Sequence, residues 1–186
     1  GTNTVTLSVT DVNGNTSTGT ATVTVNESPV TAVAQNITVQ LDANGQATIT
    51  PQDVDNGSGS GCNSNPTLSL SDTTFDCSNI GSNTVTLTAT DGTNTDTATA
   101  TVTIEDDVPP TATVQNLTIQ LDNNGQASIT AADVDGGSTD NCAVASVSIN
   151  TGNFDCSNVG PNTVTLTVTD VNGNTSTDTA TITVED

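Results

Sequence analysis

The chain repeats itself along its whole length. The segment NTVTL begins at Asn3, Asn83 and Asn162, and the segment FDCSN begins at Phe75 and Phe154, so equivalent positions lie 80 or 79 residues apart. A fixed period of this length indicates a tandem array in which each repeat is one folding unit. The phase predicts the C-terminal hairpin of a truncated repeat at 1–27, followed by full repeats at 28–106 and 107–186.

Within each repeat, apolar residues alternate with threonine. Val85, Leu87 and Ala89 are separated by threonines, and residues 97–104 continue the alternation. This period of two is typical of β-strands with one buried face and argues against disorder. Residues 36–50 and 116–130 have the same character around an Asn-Gly corner, which predicts a hairpin in each.

The acidic composition limits the classes of partner. The chain has 21 Asp and Glu and no Lys, Arg or His, for a formal net charge of −21. Binding to nucleic acid or to an anionic bilayer requires basic side chains, so neither is expected, whereas cations are natural partners. Eighteen of the acids are Asp, which favours turns over helix interiors. No run is long enough to insert in a membrane, and a secretion signal is expected outside this segment.

Each full repeat contains two cysteines, Cys62 with Cys77 and Cys142 with Cys156. One disulfide within each repeat is the prediction, because closing a loop of about 15 residues adds roughly 3 kcal/mol to the stability of a small domain. Such bonds imply an oxidising, extracellular compartment. A metal–thiolate site is the alternative, but two cysteines without histidine are too few for structural zinc.

Several motifs together resemble hyalin-type (HYR) repeats and the repetitive regions of large cell-surface adhesins of Bacteroidetes. They are STDNCAVAS at 138–146, FDCSNVGPNTVTLTVTD at 154–170, DVNGNT at 170–175 and EDDVPPTA at 105–112. The resemblance implies an all-β chain of tandem immunoglobulin-like β-sandwiches, packed against neighbouring repeats in an elongated extracellular rod. The first full repeat departs from it, with GSGSGCNSN at 57–65 and DGTNT at 91–95.

In an immunoglobulin-like sandwich, two loops and a hairpin tip return to the end at which the chain enters. That topology predicts a cluster of carboxylates, which repel one another unless a cation lies among them. Oxygen ligands without nitrogen or sulfur favour Ca²⁺. The candidate ligands at the second junction are Glu105, Asp106, Asp107, Asp133, Asp135, Asp140 and Asp170. A less complete set at the first junction is Glu27, Asp53, Asp55 and Asp91. The alternative is that these acids only cap turns and keep the chain soluble.

The composition also bears on activity. Without His, Lys, Tyr or Arg, a serine or cysteine nucleophile has no ordinary base, so no enzyme is predicted. The predicted function is a structural stalk or fibre segment of a secreted or cell-surface adhesin. Such a segment holds other parts of the full protein apart and makes that protein stiffer. The alternatives are a calcium-dependent adhesive module that binds carbohydrate or protein, and a subunit that assembles with other copies into a filament.

A last motif concerns modification. The triplets Asp-Thr-Thr at 72–74 and Asp-Thr-Ala at 96–98 and 178–180 resemble the acceptor motif for O-glycosylation in Bacteroidetes. They make Thr73, Thr97 and Thr179 candidate O-glycosylation positions.

Overall fold

The computed structural model describes residues 1–26, 28–61 and 65–186, and these residues are mostly in β-strands. The strands in chain order are β1 (Thr2–Thr10), β2 (Thr16–Thr24), β3 (Val30–Thr31), β4 (Ile37–Gln40), β5 (Gln46–Thr48), β6 (Gly59–Ser60), β7 (Thr67–Leu70), β8 (Thr74–Asp76), β9 (Gly81–Thr90), β10 (Thr95–Glu105), β11 (Leu117–Gln120), β12 (Gln126–Ser128), β13 (Val144–Ile149), β14 (Asn153–Asp155), β15 (Gly160–Asp170) and β16 (Thr175–Glu185).

Helical structure in the described residues is limited to single turns. These are α1 (Pro51–Val54), α2 (Ala131–Val134) and the 3₁₀ turns η1 (Cys77–Asn79) and η2 (Cys156–Asn158). None of the described helices has the length and apolar character needed to cross a bilayer.

The alternation of apolar residues and threonine produces strands with one buried face, as predicted. In β15 the side chains of Val164, Leu166 and Val168 are fully buried, while the residues between them are partly exposed. Burying a side chain of this size stabilises the fold by about 1.5–3 kcal/mol. Threonine suits the outward positions because its β-branched side chain favours strands and its hydroxyl remains hydrated.

The last repeat forms two layers around one core. Its larger sheet has the order β11-β16-β15-β13, in which β11 runs parallel to β16 and the other neighbours are antiparallel. The smaller layer pairs β12 with β14. Residues from both layers, among them Ile129, Phe154 and Leu166, meet in one buried apolar cluster. The first full repeat has the corresponding sheet, β4-β10-β9-β7, and the corresponding pair, β5-β8.

The predicted hairpins at 36–50 and 116–130 are wrong. Strand β4 pairs in parallel with β10, and β5 pairs antiparallel with β8, so the chain changes sheet at the Asn-Gly turn. The turn itself forms as expected, with Asp42 Oδ1 accepting from the backbone N–H groups of Asn44 (2.8 Å) and Gln46 (3.0 Å). Strands of four and three residues are too short for a stable two-stranded hairpin, and each gains more by adding to a longer strand or closing a second layer.

Contacts divide the chain into two compact units. The first comprises Gly1–Asn36, Thr50–Asp72 and Thr84–Ala100, and the second comprises Ile37–Ile49, Thr73–Asn83 and Thr101–Asp186. The repeat boundaries at 28–106 and 107–186 stay a prediction. In the first unit, β1 and β2 pair antiparallel as a two-stranded sheet whose residues are exposed.

Candidate metal centre

Asp170 ends β15 and builds the turn of the β15–β16 hairpin. Its Oδ1 accepts hydrogen bonds from the backbone N–H groups of Asn172 and Asn174, both at 2.8 Å, and its Oδ2 accepts from Asn174 Nδ2 at 2.8 Å. The side chain is only 2% exposed. Burial by itself raises the pKa of Asp170, but the hydrogen bonds from Asn174 and Asn172 outweigh it and hold the pKa below its ordinary value. The carboxylate is therefore ionised at neutral pH.

Asp106 lies directly after β10 and is 5% exposed. Its Oδ1 accepts from Asn141 Nδ2 at 3.0 Å and from the backbone N–H of Val108 at 3.2 Å. Its main-chain carbonyl accepts from Asn174 Nδ2 at 2.9 Å. Two asparagines from distant parts of the sequence thus fix the position of this one residue.

Asp140 lies in the loop that precedes β13. Its Oδ2 accepts from the backbone N–H groups of Cys142 (2.9 Å) and Ala143 (3.0 Å), which orients the carboxylate. The neighbouring Asn141 donates through Nδ2 to Asp106 and also to the main-chain carbonyl of Asp42 at 3.1 Å. The loop is therefore held by its own backbone and by Asn141.

These elements bring three carboxylates together. Oxygen atoms of Asp106, Asp140 and Asp170 all lie within 4.8 Å of one another. Within the described part of the chain, three buried oxygens in this region accept no hydrogen bond, namely Asp106 Oδ2, Asp140 Oδ1 and Asn141 Oδ1. A buried oxygen without a donor normally costs about 1–3 kcal/mol.

The chemistry of these oxygens suits a cation better than a hydrogen-bond donor of this chain. The sequence has no Lys, Arg or His that could supply positive charge to three clustered carboxylates. Carboxylate and amide oxygens are hard ligands, which Ca²⁺ binds at about 2.3–2.6 Å, so oxygens on opposite sides of the ion lie up to about 5 Å apart. The oxygen separations in the cluster are compatible with one such ion. Transition metals favour nitrogen or sulfur ligands, which the cluster lacks.

The structure brings together three of the seven acids predicted for this junction. Asp133 caps α2 by accepting from Thr130 N and Oγ1, both at 2.7 Å, and Asp135 accepts from Ser138 N at 2.9 Å. These bonds hold the pKa of Asp133 and of Asp135 below the ordinary value. Both carboxylates thus form local turn contacts of the kind that the sequence left as the alternative.

The two remaining acids also lie outside the cluster. Glu105 is exposed and its Oε2 accepts from Gln40 Nε2 at 2.9 Å, which joins β10 to β4. Asp107 is exposed. In a strand end such as 105–107, successive side chains point in opposite directions, so only Asp106 points inward.

No comparable cluster forms among the described acids of the first junction. Glu27 lies outside the described residues. The other three each accept a hydrogen bond from a group three residues away, in a cap or a turn: Asp53, Asp55 and Asp91. The position equivalent to Asp140 is Ser60, so the first full repeat lacks that carboxylate.

Two residues of the candidate centre were missed by sequence reasoning. Asn141 supplies an unpartnered oxygen and Asn174 anchors both Asp106 and Asp170. Both lie in motifs that the sequence displays, STDNC and DVNGNT. Only charged residues were counted as ligands there, although asparagine amides are ordinary Ca²⁺ ligands.

Comparison with known proteins identifies the fold. The sequence matches no protein-family profile and no curated protein. An I-band fragment of titin aligns with 100% of this chain and 75% of its own, at 9% identity and a TM-score of 0.52. A mutated three-immunoglobulin-domain fragment of titin gives 10% identity, the same coverage and a TM-score of 0.51. The fold is immunoglobulin-like. Immunoglobulin domains 1–4 of Sidekick-1 align with 96% of this chain and 57% of theirs, at 10% identity and a lower TM-score of 0.43.

The cysteines of these immunoglobulin-like sandwiches correct the predicted disulfides. Cys77 is bonded to Cys142, with a Cα–Cα distance of 5.6 Å and a sequence separation of 65. Both belong to the second compact unit. The predicted pairs Cys62–Cys77 and Cys142–Cys156 are therefore wrong. Cys156 is exposed and forms no disulfide with a described residue, and Cys62 lies outside the described residues.

The physical reason is the length of β15. Cys156 begins η2, the turn just before this strand. Cys142 precedes β13, whose first residue, Val144, pairs with Asp170 at the far end of β15. Eleven residues of strand span roughly 35 Å. A disulfide requires Cα atoms within about 7 Å, so the two cysteines of one immunoglobulin-like sandwich cannot reach each other.

The candidate O-glycosylation positions are accessible. Thr73, Thr97 and Thr179 are all exposed, Thr97 and Thr179 in strands and Thr73 between β7 and β8. Modification at these threonines stays a prediction.

Proposed function

We propose that this chain is a structural segment of a secreted or cell-surface adhesin, made of hyalin-type immunoglobulin-like repeats that space and stiffen the parent protein. Its role is mechanical rather than catalytic. The observation that carries the proposal is the cluster of Asp106, Asp140 and Asp170, in which the first and last are buried and Asp140 is half-buried, and whose oxygen separations are compatible with one Ca²⁺ ion.

The cluster joins three chain segments that are far apart in sequence. Asp106 follows β10, Asp140 lies in the loop before β13, and Asp170 is at the tip of the β15–β16 hairpin. One ion bound to all three would cross-link the segments. It would also remove the mutual repulsion of the carboxylates, which otherwise favours their separation. Calcium binding would thus convert a strained acidic region into a stiff one.

The chemistry of the chain supports an extracellular location for this role. The Cys77–Cys142 disulfide requires an oxidising environment to form and persist. Calcium sites of extracellular modules bind with a Kd of about 10⁻⁴–10⁻³ M, so the expected affinity suits calcium-rich surroundings. The likeness to titin immunoglobulin domains supports the fold of such a module.

The inventory of side chains supports a non-catalytic role. The chain has no His, Lys, Arg, Tyr, Trp or Met. Acid–base catalysis by carboxylates alone would need an accessible pair, whereas Asp106 and Asp170 are buried.

Thermal unfolding with Ca²⁺, with Mg²⁺ and with chelator tests the proposal. We expect saturating Ca²⁺ to stabilise the wild type by about 2–3 kcal/mol at 100 times Kd. For a chain of this size this corresponds to a rise in Tm of roughly 5–10 °C. Mg²⁺ should act much more weakly, because it demands near-ideal octahedral geometry and dehydrates reluctantly. An unchanged Tm in Ca²⁺ contradicts the proposal.

The chain offers a matched control for the site. Asp11 and Asp170 head the same turn sequence, DVNGNT, but Asp11 is exposed and belongs to no acidic cluster among the residues that the structure describes. The variant Asp170→Asn should lose the response to Ca²⁺, while Asp11→Asn should keep it. Calorimetric titration should give one site per chain in wild type and in Asp11→Asn. An equal response to Ca²⁺ in both variants would mean that the ion does not bind at Asp170.

A further inference from the structure

The candidate metal centre and the disulfide share one loop, residues 140–142, which we name the ligand loop. It begins with Asp140, one of the three clustered carboxylates, and ends with Cys142, which is bonded to Cys77. Between them lies Asn141, whose buried Oδ1 accepts no hydrogen bond. The backbone N–H of Cys142 donates to Asp140 Oδ2 at 2.9 Å. A residue of the disulfide thus orients a candidate metal ligand directly.

The disulfide fastens the ligand loop to the turn at 42–45. Cys77 Sγ lies 3.8 Å from the carbonyl oxygen of Gly45 and 3.7 Å from that of Asn141. Gly45 is buried, and a Cβ atom added there would lie 2.7 Å from both Asn141 O and Cys77 Sγ. The turn is itself fixed by Asp42, whose Oδ1 accepts from two backbone N–H groups. The bonded loop therefore packs closely against an ordered support.

A polar contact accompanies the disulfide at this support. Asn141 Nδ2 donates to the main-chain carbonyl of Asp42 at 3.1 Å, and it also donates to Asp106 Oδ1 at 3.0 Å. The amide thus links the support to the carboxylate cluster. A hydrogen bond of this kind contributes little net stability, because water can replace either partner. The covalent bond is therefore the stronger constraint on the position of the ligand loop.

The constraint opposes the repulsion among the carboxylates. Asp106 and Asp170 are buried, whereas Asp140 is half-buried and lies on the ligand loop. Without the disulfide, repulsion favours movement of Asp140 away from the other two. An ion must then order the loop as it binds, and fixing the backbone of one residue costs about as much as a tenfold rise in Kd. We infer that the Cys77–Cys142 disulfide sets the Ca²⁺ affinity of the metal centre, and that bound Ca²⁺ in turn protects this disulfide from reduction.

The inference rests on the proposed calcium site and adds its regulation. Linkage makes the two effects equal: a bond that tightens Ca²⁺ binding tenfold becomes tenfold harder to reduce when the ion is bound. The reductant is a dithiol such as dithiothreitol. One of its thiolates attacks the disulfide and forms a mixed disulfide, and its second thiolate closes a ring and releases the other cysteine. The protein gains two electrons and two protons, and the dithiol becomes a cyclic disulfide.

Calorimetric titration of the full chain with Ca²⁺ tests the first effect. Cys77→Ser removes the bond and leaves the ligand loop unchanged. Cys156→Ser is the matched control, because Cys156 begins η2 as Cys77 begins η1, with its Sγ also 3.8 Å from a glycine carbonyl. It forms no disulfide with a described residue. We expect Kd to rise about tenfold in Cys77→Ser and to stay unchanged in Cys156→Ser. Equal Kd values in wild type and Cys77→Ser would overturn the inference.

Two further variants separate the bond from the side chains that form it. Cys142→Ser and the double variant Cys77→Ser/Cys142→Ser remove the same bond, so both should have the Kd of Cys77→Ser. Separate packing effects of the two cysteines would instead add in the double variant, and that result contradicts the inference. Far-ultraviolet circular dichroism in chelator establishes that each variant is folded before it is titrated.

The redox equilibrium of the wild type tests the second effect without removing a cysteine. The protein is equilibrated with mixtures of reduced and oxidised dithiothreitol, in Ca²⁺ or in chelator, and its thiols are then alkylated. Digestion before aspartate places Cys77 in peptide 76–90 and Cys142 in peptide 140–154, where mass spectrometry measures the reduced fraction.

Saturating Ca²⁺ should raise about tenfold the ratio of reduced to oxidised dithiothreitol at which half of the disulfide is open. In Asp170→Asn the ratio should be the same with and without Ca²⁺. A disulfide that only supports the fold would show no such dependence on the ion, so an unchanged ratio in wild type sinks the inference. If the oxidised wild type binds no Ca²⁺, the calcium site of the proposed function fails as well. If it binds Ca²⁺ with the Kd of Cys77→Ser, the coupling alone fails.

Discussion

The hairpins β1–β2 and β15–β16 have nearly the same sequence and different surroundings. Residues 4–25 read TVTLSVTDVNGNTSTGTATVTV and residues 163–184 read TVTLTVTDVNGNTSTDTATITV. Leu7 is 68% exposed in the first hairpin, whereas Leu166, at the same place in the second, is fully buried. Around β15–β16, strands β11 and β13 extend the sheet and the second layer covers it. The hairpin β1–β2 forms a sheet of two strands only.

The comparison separates local from tertiary causes. Both hairpins have the same antiparallel register, and both tips have the same set of hydrogen bonds from the asparagines to the leading aspartate. Local sequence is therefore sufficient for the shape of the hairpin. Burial of its apolar face, and the chemistry of its aspartate, depend on the neighbouring strands.

Truncating the equivalent leucines should give the largest contrast. We expect Leu166→Ala to lower the free energy of unfolding by about 2–5 kcal/mol, because it leaves a cavity in the core. Leu7→Ala should change it by less than about 0.5 kcal/mol, since the side chain is already in water. Urea unfolding followed by far-ultraviolet circular dichroism measures both, as the chain has no Trp or Tyr for fluorescence. Equal losses would mean that β1–β2 is packed in solution.

Substituting the tip glycines should give a smaller contrast. Gly14 and Gly173 have φ angles of +85° and +97°, and a Cβ at either position would meet open space. Alanine there costs about 1–2 kcal/mol in the left-handed region. We expect Gly173→Ala to lower the stability of the second unit by about 1 kcal/mol. Gly14→Ala should only increase amide exchange of its own hairpin, because that hairpin has no core whose unfolding it could promote. A shift of the urea midpoint in Gly14→Ala would contradict this.

Much of the fold was predictable because its causes are local. Alternation of apolar residues with threonine placed Val85, Leu87 and Ala89 on a buried face, and the structure confirms it. The turn predicted at Asn44-Gly45 also forms in the structure. The pairing of β4 and β5 was not predictable in this way, since it depends on which distant strands offer a free edge.

The prediction of the candidate centre was likewise correct for some residues and wrong for others. Asp106, Asp140 and Asp170 were selected from the topology of the sandwich, which brings a linker, a loop and a hairpin tip to one end. Asp133 and Asp135 were selected with them, although capping by Thr130 and Ser138 satisfies them locally. The disulfide was missed because a separation of 14 positions says nothing about the long strand that keeps Cys142 from Cys156.

Acid pH should give the smallest contrast between the two hairpins. Hydrogen bonds from Asn174 outweigh burial and keep the pKa of Asp170 below its ordinary value. The unfolded chain therefore binds a proton at Asp170 more readily than the folded chain does. The stability that these bonds contribute is fully present above about pH 4, the ordinary Asp pKa, and is lost as the pH falls through the lower folded pKa.

Melting in chelator from pH 6 to pH 2 measures this contribution. The fall in Tm of Asp170→Asn should be slightly shallower than that of the wild type, because one acid-sensitive group is gone. The pKa of Asp11 is also lowered, first by the side chain of Asn15, but its hairpin has no core, so Asp11→Asn should follow the wild-type curve. The difference is expected to be small, since other carboxylates with lowered pKa values, such as Asp122, Asp133 and Asp155, titrate over the same range. If the fall in Tm became shallower in Asp11→Asn and not in Asp170→Asn, the hairpin coupled to the core would be β1–β2, which would contradict the comparison.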